Sequence, residues 1–358
     1  MANPLLLLAS ALFFLGLSAL LYLASWLTVY MVWRLLPGLS PSNRKRYLFW
    51  SLVLPPVIAG LLTSGGALLR HIHAPGMEHH NAMCGDVYRL LTAPQGSLPT
   101  IAGVLLSGGA WMLLISGTIG VLRLTNATAL LSRGLTPYLK ASSPRLAAAV
   151  ARVQSRTGIC NLPFYESDRP MGYSCLVGLR RVRCVLSKEL VASCTEGELE
   201  AIVTHEANHF LHGDIWFSYL IGVINCVFFF LRPVRLMSRR WREEMELACD
   251  AATVAATGKP LLLASAILRT QGIPVSSHSL PAVALGFAEE MACTSSKRIE
   301  RLLVYAQQAR IPVDTSGHSV WQWMVTLLLA SLGVSLLLSP QILCTAHCSL
   351  EAIARTLH

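Results

Sequence analysis

A chain of 358 residues that is 53% hydrophobic and only 13% charged, with mean hydropathy +0.52, is composed like a membrane protein and not like a soluble enzyme. Its net charge of +10 is read as loops flanking membrane helices, so the bilayer is the expected partner and direct nucleic-acid binding is not expected. Ten Cys without a paired C-x-x-C exclude a disulfide scaffold and a zinc ribbon.

Met1 to Ser10 has no basic residue before its apolar run, the pattern of a first membrane helix and not of a cleaved leader. Leu5 to Trp33, Tyr47 to Leu69 and Leu98 to Leu122 are uncharged and long enough to span; Pro55-Pro56 should kink the second. Arg34, Arg44, Lys45 and Arg46 in the first connecting Pro/Ser loop outweigh Arg70 and Arg89 in the second. That bias puts the first loop inside, the N-terminus outside and the region after Arg123 inside. The loop near 70–97 carries His71, His73, Met77, His79, His80, Met83 and Cys84. These could bind copper or zinc, but a plain polar loop is the preferred reading. Cys84, Cys344 and Cys348 would all face an oxidising side, with no pairing deducible.

From Arg123 to about Gly213 the chain reads as soluble. Ser143 caps a helix with Pro144 at its first position and Gly158 past its end. Strands are predicted at Phe164 to Glu166, Tyr173 to Val177 and Val182 to Leu186, with a turn at Asp168 to Gly172. An edge of such a sheet could hold an extended peptide, or the sheet could simply close the core. Ser187 caps a one-turn helix. Thr195 with Glu198 forms a capping box that opens a longer one.

That longer helix carries His205-Glu206-Ala207-Asn208-His209. At 3.6 residues per turn, His205 and His209 share a face and can grip one ion. Glu206 is placed to take a proton from the attacking water as general base. A catalytic zinc needs a third protein ligand and one open position. Downstream, Glu246-Leu247-Ala248-Cys249-Asp250 supplies Glu246 as that ligand. Asp250, one turn on, can accept the N–H of a ligand His and fix its tautomer. Glu243 and Glu244 are rivals without an Asp four residues later, and are read as solvated charges. His212 could assist an oxyanion, but a surface histidine is the preferred reading.

Between the two motifs, Ile215 to Leu231 is apolar. A single crossing would put Glu246 on the far side of a core about 30 Å thick, away from the histidines. A membrane-dipping hairpin near 215–235 that returns to its own side is therefore expected, with Pro233 as the place to reverse. Arg239 to Thr257 reads as an amphipathic helix stopped by Gly258 and Pro260, and its Arg239, Arg240 and Arg242 as markers of the cytoplasmic interface. Leu261 to Arg269 looks helical, Gln271 to Val283 linker-like, and Lys297 to Arg310 a basic helical segment. Val320 to Leu343 is the last spanning run, opened by Trp321 and Trp323.

HEANH with Asp214 shortly after, ELACD, and the apolar stretch with a Pro between them together resemble the BlaR/MecR-type antirepressor metallopeptidases over roughly residues 1–310. The CAAX-protease/HtpX group shares both motifs. The resemblance implies a zinc endopeptidase with its site on the cytoplasmic side, cleaving itself or a repressor after an outside signal. It carries His205, His209 and Glu246 over as ligands, Glu206 as base and Asp250 as their support. Gln271 to Val283 is the most loop-like candidate for self-cleavage. The β-lactam sensors of the family carry a penicillin-binding domain after the last span, and so few residues follow Leu343 that antibiotic sensing is not expected.

The expected fold class is an α-helical integral membrane protein with an inserted α+β zinc-metallopeptidase (gluzincin-like) unit. Three membrane helices occupy 1–122, an inward-facing catalytic unit 123–319, and a fourth helix with a short tail 320–358, both termini being extracytoplasmic. One Zn2+ is expected as cofactor and a protein or peptide, a transcriptional repressor among the candidates, as substrate. A homodimer is compatible with the sequence but not specified by it. The rival readings are a housekeeping protease of membrane proteins and a non-catalytic receptor with a structural zinc, against which the open coordination position argues.

Overall fold

A computed structural model describes residues 4–69, 97–136, 139–158, 161–168, 174–272 and 282–308. The 70–96 loop, the Asp168 to Gly172 turn beyond Asp168, most of the Gln271 to Val283 linker and the run from Val320 lie outside the described residues.

Three long helices come first: α1 (Pro4–Leu35), α2 (Pro41–Leu69) and α3 (Ser97–Leu135). Two described stretches are long and apolar enough to cross a membrane, Phe14–Leu35 in α1 and Met112–Leu130 in α3. α1 and α2 pack along each other, joined where Tyr22 Oη donates to the buried Leu52 carbonyl at 2.8 Å. α2 starts before Tyr47, so Arg44, Lys45 and Arg46 sit in its first turns and not in a loop. Cations there oppose the helix dipole. The start is tolerated because the Ser40 hydroxyl accepts from the Asn43 N–H, Pro41 suits a first turn, and Arg44 and Lys45 find acidic partners elsewhere. α3, at 39 residues, is about 58 Å long. It runs past Arg123 and delivers its last turns to the helices and sheet that follow.

A small mixed sheet follows, in order β1-β2-β4-β3. Its strands are β1 (Leu139–Ala141), β2 (Phe164–Ser167), β3 (Ser174–Val177) and β4 (Arg183–Ser187). β1 was not legible in the sequence, since three residues cannot show an alternation. The β2–β4 pair is parallel and the other two pairs antiparallel, which leaves β3 at an edge. Helix α4 (Pro144–Thr157) is capped by Ser143 and ended by Gly158 at φ 70°, the left-handed conformation that favours glycine. Ser187 caps the short α5 (Lys188–Ser193). Thr195 and Glu198 close the capping box of α6 (Glu196–Leu211), worth about 1 kcal/mol.

α6 is the centre of the fold, with nearly every residue from Glu198 to His209 buried. Leu199 and Val203 join Leu146 and Val153 of α4 and Leu186 of β4 in one core. Ala201 joins a second core with α8 (Arg232–Thr257), α9 (Pro260–Gly272) and α10 (Ala282–Gln307). Between α6 and α8 runs α7 (Asp214–Val227), bent 61° from α6. The chain turns at 228–231 and α8 begins at Arg232, earlier than expected, because Pro233 lies in its first turn, where its missing N–H costs nothing. Asn225 of α7 bonds Ser238 of α8 at 2.9 Å across the turn.

Candidate active site

Helix α6 presents His205 and His209 on one face, ring centroids 4.6 Å apart. Helix α8 presents Glu246 and Asp250 one turn apart. The Asn208 amide donates to Thr253 Oγ1 at 3.1 Å and fixes the register between the two helices. As a result the Nε2 atoms of His205 and His209 face each other at 3.1 Å, with the Glu246 carboxylate 3.4 Å from His205 Nε2 and 3.6 Å from His209 Nε2. Ligands on one tetrahedral ion with bonds of about 2.0–2.1 Å lie about 3.3 Å apart. The donor set, two imidazoles and a carboxylate, suits zinc, so these residues fit the group.

A charged group stands behind each ligand candidate. Asp250 Oδ1 lies 3.2 Å from His205 Nδ1. The Arg298 guanidinium bonds both Asp250 oxygens at 2.8 Å and reaches Glu246 at 2.9 Å. Burial opposes ionisation of Asp250, but Arg298 and His205 together outweigh it and keep the carboxyl below its usual value. On the other side, Asp214 Oδ2 lies 2.8 Å from His209 Nδ1 and Lys45 pairs with the second oxygen. Cys249 Sγ is 3.2 Å from the same His209 nitrogen.

Glu206 is buried, and Ser174 of β3 donates its hydroxyl to Oε1 at 2.6 Å. Both residues line a cavity of about 760 Å³. Its other walls are mostly apolar: Leu124 and Ala127 of α3, Leu176 of β3, Ile215 of α7, and Leu263 and Ile267 of α9. The outer edge of β3, unpaired among the described strands, thus borders the cavity beside Glu206.

The structure therefore brings together His205, Glu206, His209, Glu246 and Asp250. His212 ends α6, exposed and outside the cavity wall. Glu243 pairs with Lys297, and Glu244, which is buried and not a solvated charge as expected, pairs with Arg44. The sequence assigns Lys45, Ser174 and Arg298 no role at the site. Arg298 falls in the segment read only as basic, and Asp214 was noted without a task. Asp214 follows His209 by five residues, but no local spacing marks Lys45, Ser174 or Arg298, because each reaches the site through tertiary packing.

A mostly helical membrane protein with a small mixed sheet, in which an H-E-x-x-H helix meets a downstream glutamate in a cavity, has the build of a membrane peptidase. The chain belongs to the BlaR1 peptidase M56 family, whose model matches residues 14–290. It is also similar to a "Protease HtpX homolog" of Acidiphilium cryptum (strain JF-5), with 26% identity over 172 residues, covering 38% of this chain and 59% of that protein's length.

Proposed function

We propose that the protein is a zinc metalloendopeptidase that hydrolyses peptide bonds at the cytoplasmic face. The observation that carries this reading is the mutual spacing of His205, His209 and Glu246, with Glu206 opening onto the same cavity. His205, His209 and Glu246 would hold the ion. When bound, zinc supplies Lewis acidity toward the peptide carbonyl and makes water a stronger acid. Glu206 takes the proton of the attacking water and passes it to the leaving amine. The Ser174 hydroxyl commits one oxygen of Glu206, leaving the other for that task. Asp214 and Asp250 orient the two imidazoles through their Nδ1 atoms.

The substrate lies extended along β3, whose outer edge, unpaired among the described strands, offers backbone pairing, with apolar side chains in the cavity. The membrane is close. Leu124 and Ala127 of the cavity wall lie within the apolar Met112–Leu130 stretch of α3. Helix α7 packs against that stretch: a Cβ on Gly117 would lie 3.4 Å from Val227 Cα, and one on Gly120 would lie 3.0 Å from Cys226 Cβ. Trp216, Leu220, Phe229 and Phe230 on and after α7 are exposed. These observations support α7 as a helix that dips into the bilayer and returns. Signal-dependent cleavage of a regulator or of the enzyme itself is the role that family membership favours, and general turnover of membrane proteins is its rival. Deletion separates them: a signalling protease changes a few transcripts, whereas a turnover protease causes general envelope stress.

The metal assignment is tested on the detergent-purified chain. Wild type and Glu206→Gln should each carry one zinc, while His205→Ala and Glu246→Ala should lose it. Zinc retained in both ligand variants would refute the ligand set.

A further inference from the structure

The start of α2 reaches the metal cluster from outside the catalytic helices. Lys45 is largely enclosed, with 11% of its side chain exposed, and pairs with Oδ1 of Asp214, itself 3% exposed. Asp214 Oδ2 lies 2.8 Å from His209 Nδ1, and the opposite nitrogen of that ring faces His205 and Glu246. A single carboxylate thus links a lysine 169 residues away in the chain to a candidate ligand ring. His209, Asp214 and Cys249 converge closely enough to hold an ion of their own, but the Lys45 ammonium already places a cation there.

Asp214 has both oxygens committed. One is aimed at His209 Nδ1, which sets the proton on that nitrogen and directs the Nε2 lone pair at the cluster. Without Lys45, the other oxygen would be a buried anionic acceptor short of its main partner, an unfavourable arrangement. The carboxylate would turn toward water and the His209 ring would lose its fixed orientation. Arg44, the neighbour of Lys45, docks α2 in parallel: it lies 3.5 Å from Glu244 and stacks over Trp33. Glu244, however, stands outside the cluster.

We propose that Lys45 is a positioning residue for the metal centre: it fixes Asp214, which fixes His209, so that metal affinity depends on α2 staying docked. The proposal rests on His205, His209 and Glu246 being metal ligands. Its consequence is that a displacement of the α1–α2 pair within the membrane loosens the metal site directly.

The test measures zinc affinity by chelator competition, and the visible absorption of the cobalt(II)-loaded protein, on the full-length chain in detergent. In Lys45→Met, the zinc Kd should rise about tenfold to a hundredfold, the range for partners of a ligand histidine, and the absorption per bound cobalt should change shape. Lys45→Arg should recover most of the affinity. Arg44→Ala, which disturbs the same helix start, should keep wild-type affinity and spectrum. If Lys45→Met does not fold, Lys45→Gln replaces it and should fall between Lys45→Met and Lys45→Arg. Wild-type affinity and spectrum in the Met or Gln variant would overturn the proposal. Equal losses in Lys45→Met and Arg44→Ala would also overturn it, by reducing Lys45 to a fold contact. A wild type that binds no zinc would instead refute the ligand set on which the proposal stands.

Discussion

Ser174 tests the site at the scale of one hydrogen bond. Its hydroxyl holds Glu206 at 2.6 Å, and a bond to a charged group is worth about 1.5–3 kcal/mol. Ser174→Ala should therefore lower kcat by roughly tenfold to a hundredfold while zinc content stays unchanged, as steady-state kinetics and metal analysis on one sample will show. Glu198 makes a separate prediction about acid stability. Burial opposes its ionisation, but Ser265, Arg269 and the Thr195 N–H hold it down to about 2, from 4.5. A depressed carboxyl stabilises the fold above its unfolded pKa and loses that contribution as pH falls through its folded value. That contribution should thus be present above pH 4.5 and disappear toward pH 2. Denaturant unfolding of Glu198→Gln should show a flatter acid limb than wild type. The cluster itself was legible because helical period alone aligns His205 with His209 and Glu246 with Asp250. Lys45 and Arg298 were not legible: they meet their partners across 169 and 48 residues, and a charge in a basic stretch looks the same whether it faces water or a buried carboxylate.

Capping chemistry is local, so Ser143, Ser187 and Thr195 marked their helices correctly. The start of α8 was misplaced because Pro233 reads equally well as a breaker and as a first-turn residue, and only the packing of α7 on α8 decides between them. The contact of α3 with α7 was invisible for another reason: a glycine in an apolar run reveals nothing about which helix approaches it. At Gly117 and Gly120 the structure shows backbone-close packing. Gly117→Leu should force the two helices apart and cost about 1–3 kcal/mol, lowering the thermal midpoint in detergent. Gly16→Leu on α1, where nothing lies within 4 Å of a new Cβ, serves as the control and should leave the midpoint unchanged. Equal midpoints in the two variants would contradict the packing of α7 on α3.

For the whole molecule, His205 and His209 precede α7 and Glu246 follows it, so a shared ion requires both ends of the α7–α8 excursion on one side of the bilayer. On a background lacking native thiols, Ser193→Cys and Thr257→Cys should react with a membrane-impermeant reagent only when the inner face is exposed. Labelling of Thr257→Cys alone from outside intact cells would break the shared site. The membrane class was readable from composition. The wall that α3 gives the cavity was not, because its helix was expected to stop being membrane-like at Arg123, whereas it continues unbroken to Leu135. The account stands or falls on Glu206 serving as the proton shuttle of a peptidase. The most direct measurement compares, by mass spectrometry, the new protein N-termini in membranes expressing wild type or Glu206→Gln at equal levels and equal zinc content. Wild type should produce N-termini that vanish in Glu206→Gln. Identical sets of N-termini, with zinc bound in both, would contradict it.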